Sequence, residues 1–258
     1  MKVYAWGVAT AAWALLLPAL VLAPPPPPAH FAVFLLLAVA TEWLIVPLPR
    51  GGYQSAGLVT AAAALLLIGP VYMALVTSLG VVIGNGILRR RPGYTIVFNS
   101  GQYIIAALAA GAVFSLVDPA GNLLGGPLYA GHTDVSFFLA FFGAFVTYVL
   151  TSSIFVSEMV AHRKAAPVLS VFLANIGWEA LNNAAFATLG LVLTLISVGA
   201  LPVGAIVLAV PLLLVAYALM LYTTREQAHR ELMILERIGR AAMTLNQEQL
   251  FQTVYEEL

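Results

Sequence analysis

The chain has 258 residues, of which 62% are hydrophobic and 9% are charged, and its formal net charge is zero. Soluble domains are about 45–50% apolar and about 25% charged, so this composition excludes a water-soluble globule and indicates a surface that faces lipid. The balanced charge gives no indication of a nucleic-acid partner. The absence of cysteine excludes disulfides, thiolate metal sites and cysteine nucleophiles.

The first apolar segment starts just after Lys2 and superficially resembles a signal peptide. Pro24 directly follows the one plausible cleavage site, and the apolar run is longer than a signal peptide requires. We therefore interpret residues 4–22 as a retained first membrane span.

A membrane span requires about 20 apolar residues to cross about 30 Å of hydrocarbon. The clear candidates are residues 4–22, 31–48, 95–117, 135–160 and 202–222. Residues 55–88 and 167–199 are also apolar, but their length leaves the number of crossings open.

The positions of the basic residues predict the number of crossings. All eleven Lys and Arg residues fall in five groups: Lys2; Arg50; Arg89, Arg90 and Arg91; Arg163 and Lys164; and Arg225, Arg230, Arg237 and Arg240 in the tail. Short loops rich in Lys and Arg stay in the cytoplasm. An even number of crossings must then separate neighbouring groups, which predicts eight spans with both termini cytoplasmic; seven or six are the alternatives.

Two crossings within residues 55–88 require a turn at Gly69-Pro70. Each helix then has about 17 residues, or about 25 Å, which barely spans the bilayer. Residues 167–199 have two interpretations. They form either one span that begins at Val168, or an interfacial or re-entrant helix followed by a span from about Leu181.

Polar side chains inside the spans are candidates for a ligand-binding site or a switch, because inserting a charged residue costs about 2.5–3.5 kcal/mol. Glu42 lies near the cytoplasmic end of the second span, where Arg50 or a water pocket could neutralise it. Glu158 is expected to reach the interface or to pair with Arg163 or Lys164. Asn85, like Asn99 and Gln102, is expected to form hydrogen bonds between helices.

A denser polar group occurs within residues 167–199. Asn175, Glu179, Asn182 and Asn183 follow the spacing i, i+4, i+7, i+8, so they share one helical face. That face lines a pocket or hinge inside the bundle, or it meets lipid headgroups with Trp178 as an interfacial anchor. The complete set of binding or switch candidates is Glu42, Asn99, Gln102, Asn175, Trp178, Glu179, Asn182 and Asn183. We expect no catalytic residue, metal site or cofactor.

After Thr224 the chain becomes charged and helical in pattern. Glu226 with Arg230 and Glu236 with Arg240 are favourable i,i+4 pairs. An approximate coiled-coil seam predicts a homodimer through this helix, and an amphipathic helix on the membrane surface is the alternative. The seam consists of Ala228, Leu232, Leu235, Gly239, Ala242 and Leu245. Asn246 with Gln249 indicates a capping box that opens a second helix.

Residues 235–258, LERIGRAAMTLNQEQLFQTVYEEL, resemble the linker helix and first helix of bacterial GAF domains. The Leu67-Ile68-Gly69-Pro70 step and the Phe98-Asn99-Ser100-Gly101-Gln102 segment are similar to those of multi-span sensor modules. Such modules precede GAF, diguanylate cyclase, HD-type phosphodiesterase or histidine kinase domains in bacteria. The resemblance implies a sensor domain at 1–222, a cytoplasmic linker or coiled-coil helix at 223–245, and the first helix of a truncated GAF-like domain at 246–258.

We therefore expect an all-α integral membrane protein with about eight transmembrane helices in a bundle and a C-terminal cytoplasmic signalling helix. Its expected function is that of a membrane-embedded input module in the bacterial cytoplasmic (inner) membrane, which passes a membrane or periplasmic stimulus to an output domain. These residues are not expected to be an enzyme, because any catalytic domain would lie beyond residue 258. The alternative is a small-solute transporter or substrate-binding membrane subunit, since short and interrupted helices are typical of transport sites.

Overall fold

The computed structural model of the protein describes residues 2–43, 46–47, 53–54, 56–118, 122–124, 127–128, 134–197, 217, 232–236 and 238–239. The chain divides into two compact units. One comprises Met1–Leu44 with Ser55–Leu213, and the other comprises Ile45–Gln54 with Leu214–Leu258.

The first unit is built from seven apolar helices in its described part. They are α1 (Lys2–Leu22), α2 (Pro28–Trp43), α3 (Gly57–Ile68), α4 (Pro70–Val81), α5 (Gly93–Val117), α6 (Val135–Lys164) and α7 (Val168–Ser197). A π-helical segment, Val82–Leu88, continues α4. In the second unit, the two-residue strands β1 (Val46–Pro47) and β2 (Tyr53–Gln54) pair in antiparallel fashion, and residues 232–236 are helical.

Four helices in the described part of the chain are long and apolar enough to cross a membrane. They are Lys2–Leu22, Pro70–Leu88, Gly93–Val117 and Val135–Lys164. Pro28–Trp43, Gly57–Ile68 and Phe186–Ile196 are shorter apolar helices. The predicted all-helical membrane class is confirmed at this level. The predicted span 202–222 lies outside the described residues, apart from Tyr217.

The predicted turn at Gly69-Pro70 is confirmed. Helix α3 ends at Ile68, and α4 begins at Pro70 with no loop between them. Gly69 has φ 84° and ψ 164°, a conformation that costs glycine little because it has no Cβ. Pro70 at the first helical position has a φ that is already set for the new helix. Local residue chemistry therefore explains the break.

Helix α7 is continuous over 30 residues from Val168 to Ser197. Of the two interpretations of this region, the structure has the single helix from Val168, and the backbone is not interrupted near Leu181. The predicted polar residues of this region therefore lie within one helix.

Side-chain contacts define one end of the helix bundle. The Tyr4 hydroxyl at the start of α1 donates a hydrogen bond to Glu158 near the end of α6, at 2.6 Å. The Tyr4 ring also lies 6.0 Å from the ring of Phe98, near the start of α5. Arg89 Nη1, at the end of the π-helical segment, donates to the carbonyl of Trp43 at the end of α2, at 3.1 Å.

The opposite end is defined by a second set of contacts. Tyr72, at the start of α4, donates to the carbonyl of Ala23, just after α1, at 3.4 Å. The rings of Phe114 near the end of α5 and Phe137 at the start of α6 lie 5.9 Å apart. Helices α4, α5 and α6, which follow one another in the chain, therefore run in alternate directions, whereas α2 and α4 lie side by side and run in the same direction.

This arrangement places all the described basic side chains at one end of the bundle, which we call the basic end. They are Lys2, Arg89, Arg90, Arg91, Arg163 and Lys164. Asp118 and Asp134 lie at the opposite end, where α5 ends and α6 begins. The segregation that the sequence pattern predicted is therefore present among the described Lys and Arg residues.

Candidate functional site

The clearest candidate site is a buried carboxylate at the end of α2. Glu42 is 5% exposed, and Asn85 in the π-helical segment is 4% exposed. Asn85 Nδ2 donates a hydrogen bond to Glu42 Oε2 at 2.6 Å. A buried charge is costly unless it is paired or hydrogen-bonded, so this bond offsets part of the cost of placing a carboxylate inside the bundle.

Two glycines allow α2 to approach close enough for this bond. A Cβ at Gly80 would lie 2.7 Å from Ala38 Cβ, and a Cβ at Gly84 would lie 2.8 Å from Glu42 Cβ. Gly80 and Gly84 are four residues apart, as in the Gly-x-x-x-Gly pattern of closely packed membrane helices. Any side chain at Gly84 would push α2 away and pull Glu42 from Asn85.

The helix that carries Asn85 changes its hydrogen-bond register. Residues Val82–Leu88 are π-helical, and the N–H of Arg89 reaches back to the carbonyl of Gly84 at 3.1 Å. One extra residue in a helical turn rotates all later residues by about 100° relative to a regular α-helix. The π-helical turn therefore determines which face of the helix Asn85 and Arg89 occupy. Such turns occur often at functional sites.

Most of the other buried polar side chains of the described residues lie in the half of the bundle nearer the basic end. Ser78 and Ser100 join α4 to α5 with their hydroxyl oxygens 2.6 Å apart. The rings of Tyr103 and Tyr148, on α5 and α6, stack with centroids 6.4 Å apart. The larger hydrophobic core of the first unit is rich in alanine, leucine and phenylalanine.

No protein-family model, curated protein or solved structure matches this chain. Any functional conclusion must therefore come from the residues and their geometry.

The structure separates the predicted site residues. Glu42 is buried and bonded as described, whereas Asn99 is half-buried on α5. Gln102 is 3% exposed, and its Oε1 has no hydrogen-bond partner within the described structure. Asn183 is half-buried on α7. The side chains of Asn175, Trp178, Glu179 and Asn182 lie outside the described residues, so their predicted role stays a prediction.

Each of the two carboxylates has a described partner that the sequence did not identify. Glu42 was expected to be neutralised by Arg50 or water, and its described hydrogen-bond donor is Asn85; Arg50 lies outside the described residues. Glu158 was expected to reach the interface or to pair with Arg163 or Lys164; it is half-buried near the end of α6, and its described side-chain donor is Tyr4. Asn85 was recognised in the sequence as an interhelical amide, but not as the partner of Glu42. Its spacing from Gly80 and Gly84 is the signal that could have shown it.

The described part of the chain also contains an apolar crevice between α3, α4, α5 and α6. It has about 250 Å³ of empty space, part of which is open to the outside. Its walls are formed by Leu58, Ala62, Leu65, Met73, Ala110, Phe141, Ala144, Phe145 and Tyr148. The space inside it that a water-sized sphere can enter is only about 10 Å³, which is about enough for one water molecule, so this crevice is too small for a drug-sized ligand. Among the described residues, no group of three or more His, Asp and Glu side chains could hold a metal ion.

Proposed function

We propose that this chain is the membrane-embedded input module of a bacterial signal-transduction protein. In this proposal the chain crosses the cytoplasmic membrane eight times, with residues 202–222 as the last span and both termini in the cytoplasm. The segregation of the described basic side chains to one end supports this orientation, since basic loops are retained in the cytoplasm.

The observation that carries the proposal is the Glu42–Asn85 hydrogen bond at the π-helical turn. An ionisable group inside a membrane protein is costly and is a functional candidate by default. Here it joins two closely packed helices at a point where one of them has an extra residue in its turn. Loss of the Glu42–Asn85 hydrogen bond would remove an interaction that stabilises the π-helical turn. A return of this segment to the α-helical hydrogen-bond register would then rotate Asn85 and Arg89 together. The pair and the register thus form one switching element with two arrangements.

The tail provides the output in this proposal. The sequence after Thr224 is charged and amphipathic, and Leu232 and Leu235 of the described helical segment are each 64% exposed. Exposed leucines at seam positions favour pairing with a second copy of the same helix. A rotation or shift of the last span would then alter the packing of the two tail helices in a homodimer.

Disulfide crosslinking in membranes tests this coupling, and the cysteine-free sequence removes background reactions. Leu232→Cys and Leu235→Cys report the packing of the tail helices in the full chain. We expect Glu42→Gln and Asn85→Ala to change the ratio of crosslinking at the two positions. Trp43→Phe is the matched control, because the Trp43 side chain is 52% exposed on the same helix. An unchanged ratio in both site variants would contradict the proposal.

A small-solute transporter is the second candidate, favoured by the loop-free break between α3 and α4 at Gly69. Discontinuous helices often carry transport sites. Purified protein in liposomes distinguishes the two functions. Solute uptake that is lost in Glu42→Gln would support the transporter, whereas unchanged tail packing together with uptake would exclude the input module.

A further inference from the structure

We propose that the basic end of the bundle is a preformed binding surface for the headgroups of anionic phospholipids. The surface consists of Lys2 at the start of α1, the arginine loop Arg89, Arg90 and Arg91, and Arg163 with Lys164 at the end of α6. Its ligand chemistry is the phosphate of a lipid in the adjoining leaflet. This inference concerns a different surface from the Glu42–Asn85 site.

The helix ends that carry these groups meet around a single aromatic cluster. Ala5, Val8 and Phe98 form its buried centre. Tyr4, Tyr94, Ile105, Phe155, Val156 and Met159 pack against that centre. The start of α1, the start of α5 and the end of α6 are therefore held together, and the basic residues next to these helix ends lie at the same end of the bundle.

The arginine loop is held in a defined shape. The N–H of Arg89 bonds to the carbonyl of Gly84, and the N–H of Arg91 bonds to the carbonyl of Asn85, at 3.1 Å and 2.9 Å. Between them, Arg90 has φ 51°, which lies in the left-handed region. A non-glycine residue in this region costs free energy and indicates that the surrounding structure determines the conformation. The exposed Arg90 side chain is thus presented from a rigid backbone.

The backbone is also well defined at the end of α6, which carries Arg163 and Lys164. Ala165 has φ 50°, and the N–H of Ala166 bonds to the carbonyl of Ala161 at 3.1 Å, closing the end of α6. Arg163 and Lys164 are exposed in this last turn. Cations here also interact favourably with the helix dipole. That local role does not extend to Arg90, which lies in the loop before α5.

Aromatic side chains place the surface at headgroup depth. Trp6 is 59% exposed and Trp43 is 52% exposed, and both lie near the basic end. Exposed tryptophans collect at the membrane–water interface. The described carboxylates near this end, Glu42 and Glu158, are hydrogen-bonded to Asn85 and Tyr4. These hydrogen bonds do not neutralise the carboxylates, but the six described Lys and Arg side chains outnumber them, so the net charge of this end is positive and complements anionic phosphate.

Tryptophan quenching by brominated lipids tests this inference in a chain that carries Trp13→Phe and Trp178→Phe, because the remaining Trp6 and Trp43 report from the same end. The full chain is reconstituted in phosphatidylcholine vesicles that contain phosphatidylglycerol, with the bromine on one lipid or the other. We expect brominated phosphatidylglycerol to quench more strongly than its mole fraction predicts. The relative association constant should fall about fivefold for each cation removed in Arg90→Gln and Lys164→Gln.

Charge-preserving variants and competition complete the test. Arg90→Lys with Lys164→Arg should retain the preference, because a positive charge near the surface is sufficient. Added salt should reduce the preference by screening. Inorganic phosphate added in excess should leave it in place if the ligand is a lipid; loss of the preference would assign the site to free phosphate instead. Equal quenching by the two lipids, or an unchanged preference in Arg90→Gln with Lys164→Gln, would overturn the inference.

Discussion

Tyr4 and Glu158 are separated by 154 positions in the chain, yet the Tyr4 hydroxyl donates to Glu158 Oε2 at 2.6 Å. The Tyr4 ring also stacks on His162, with centroids 5.6 Å apart. These contacts fasten the first residues of α1 to the last turns of α6. Because each residue lies close to a basic group, they bring distant positive charges to the same end of the bundle.

Tyr4→Phe should remove the hydrogen bond between α1 and α6 while it preserves the stacking of the ring on His162. Loss of one hydrogen bond at a partly exposed site is expected to lower the free energy of unfolding by about 1 kcal/mol. Denaturant titration in mixed micelles measures the change. Combining Tyr4→Phe with Glu158→Ala in a double-mutant cycle should give a coupling free energy of similar size, and strict additivity of the two changes would contradict a direct bond.

Asn85→Leu should leave the Glu42 carboxylate buried without its amide donor. The expected loss of unfolding free energy is about 1.5–3 kcal/mol, the range for hydrogen bonds to charged groups. The double variant Glu42→Met with Asn85→Leu should be more stable than Asn85→Leu alone, because it removes the buried charge as well. A double variant that is less stable than Asn85→Leu would exclude the proposed pairing.

Gly84→Ala should separate α2 from the π-helical segment. Its new Cβ would lie 2.8 Å from Glu42 Cβ and 3.0 Å from the carbonyl oxygen of Val39. We expect a loss of about 1–3 kcal/mol from overpacking, measured by the same titration. Gly7→Ala is the matched control in α1, since a Cβ there meets no atom within 4 Å. The control should be neutral or slightly stabilising, because alanine favours helix; equal losses at the two positions would contradict the close approach.

Leu232→Pro should break the tail helix without preventing membrane insertion. A proline inside a helix costs about 3 kcal/mol because it removes a backbone hydrogen bond and clashes with the preceding turn. Crosslinking through Leu235→Cys in membranes should then fall sharply, while the protein remains in the membrane fraction. Undiminished crosslinking would show that the tail helices do not pair through this segment.

Much of the fold could be predicted from the chemistry of residues that are adjacent in sequence. The Gly69-Pro70 turn and the apolar helices on either side of it follow from residues that are adjacent in sequence. The segregation of charge could also be predicted, because basic loops are restricted to one side of a membrane. The continuity of α7 could not be predicted from the sequence, because its polar residues suit both a buried helical face and an interfacial one.

The contents of the site were only partly predictable. Glu42 was recognisable because a lone carboxylate in an apolar span requires an explanation. Its partner lies 43 positions away, and its orientation depends on a π-helical turn for which the residues Val82–Leu88 have no recognised sequence pattern. The Tyr4–Glu158 bond was missed for the same reason: the sequence shows which groups need partners, but not which helices lie side by side.

Labelling of single cysteines with a membrane-impermeant thiol reagent in intact cells tests the orientation on which the proposed signalling function depends. Arg90→Cys and Lys164→Cys represent the basic end, and Asn122→Cys represents the opposite end. We expect labelling of Asn122→Cys from outside, and labelling of Arg90→Cys and Lys164→Cys only after the cells are opened. Labelling of Arg90→Cys or Lys164→Cys in intact cells would contradict the cytoplasmic position of the basic end and, with it, the delivery of the tail helix to the cytoplasm.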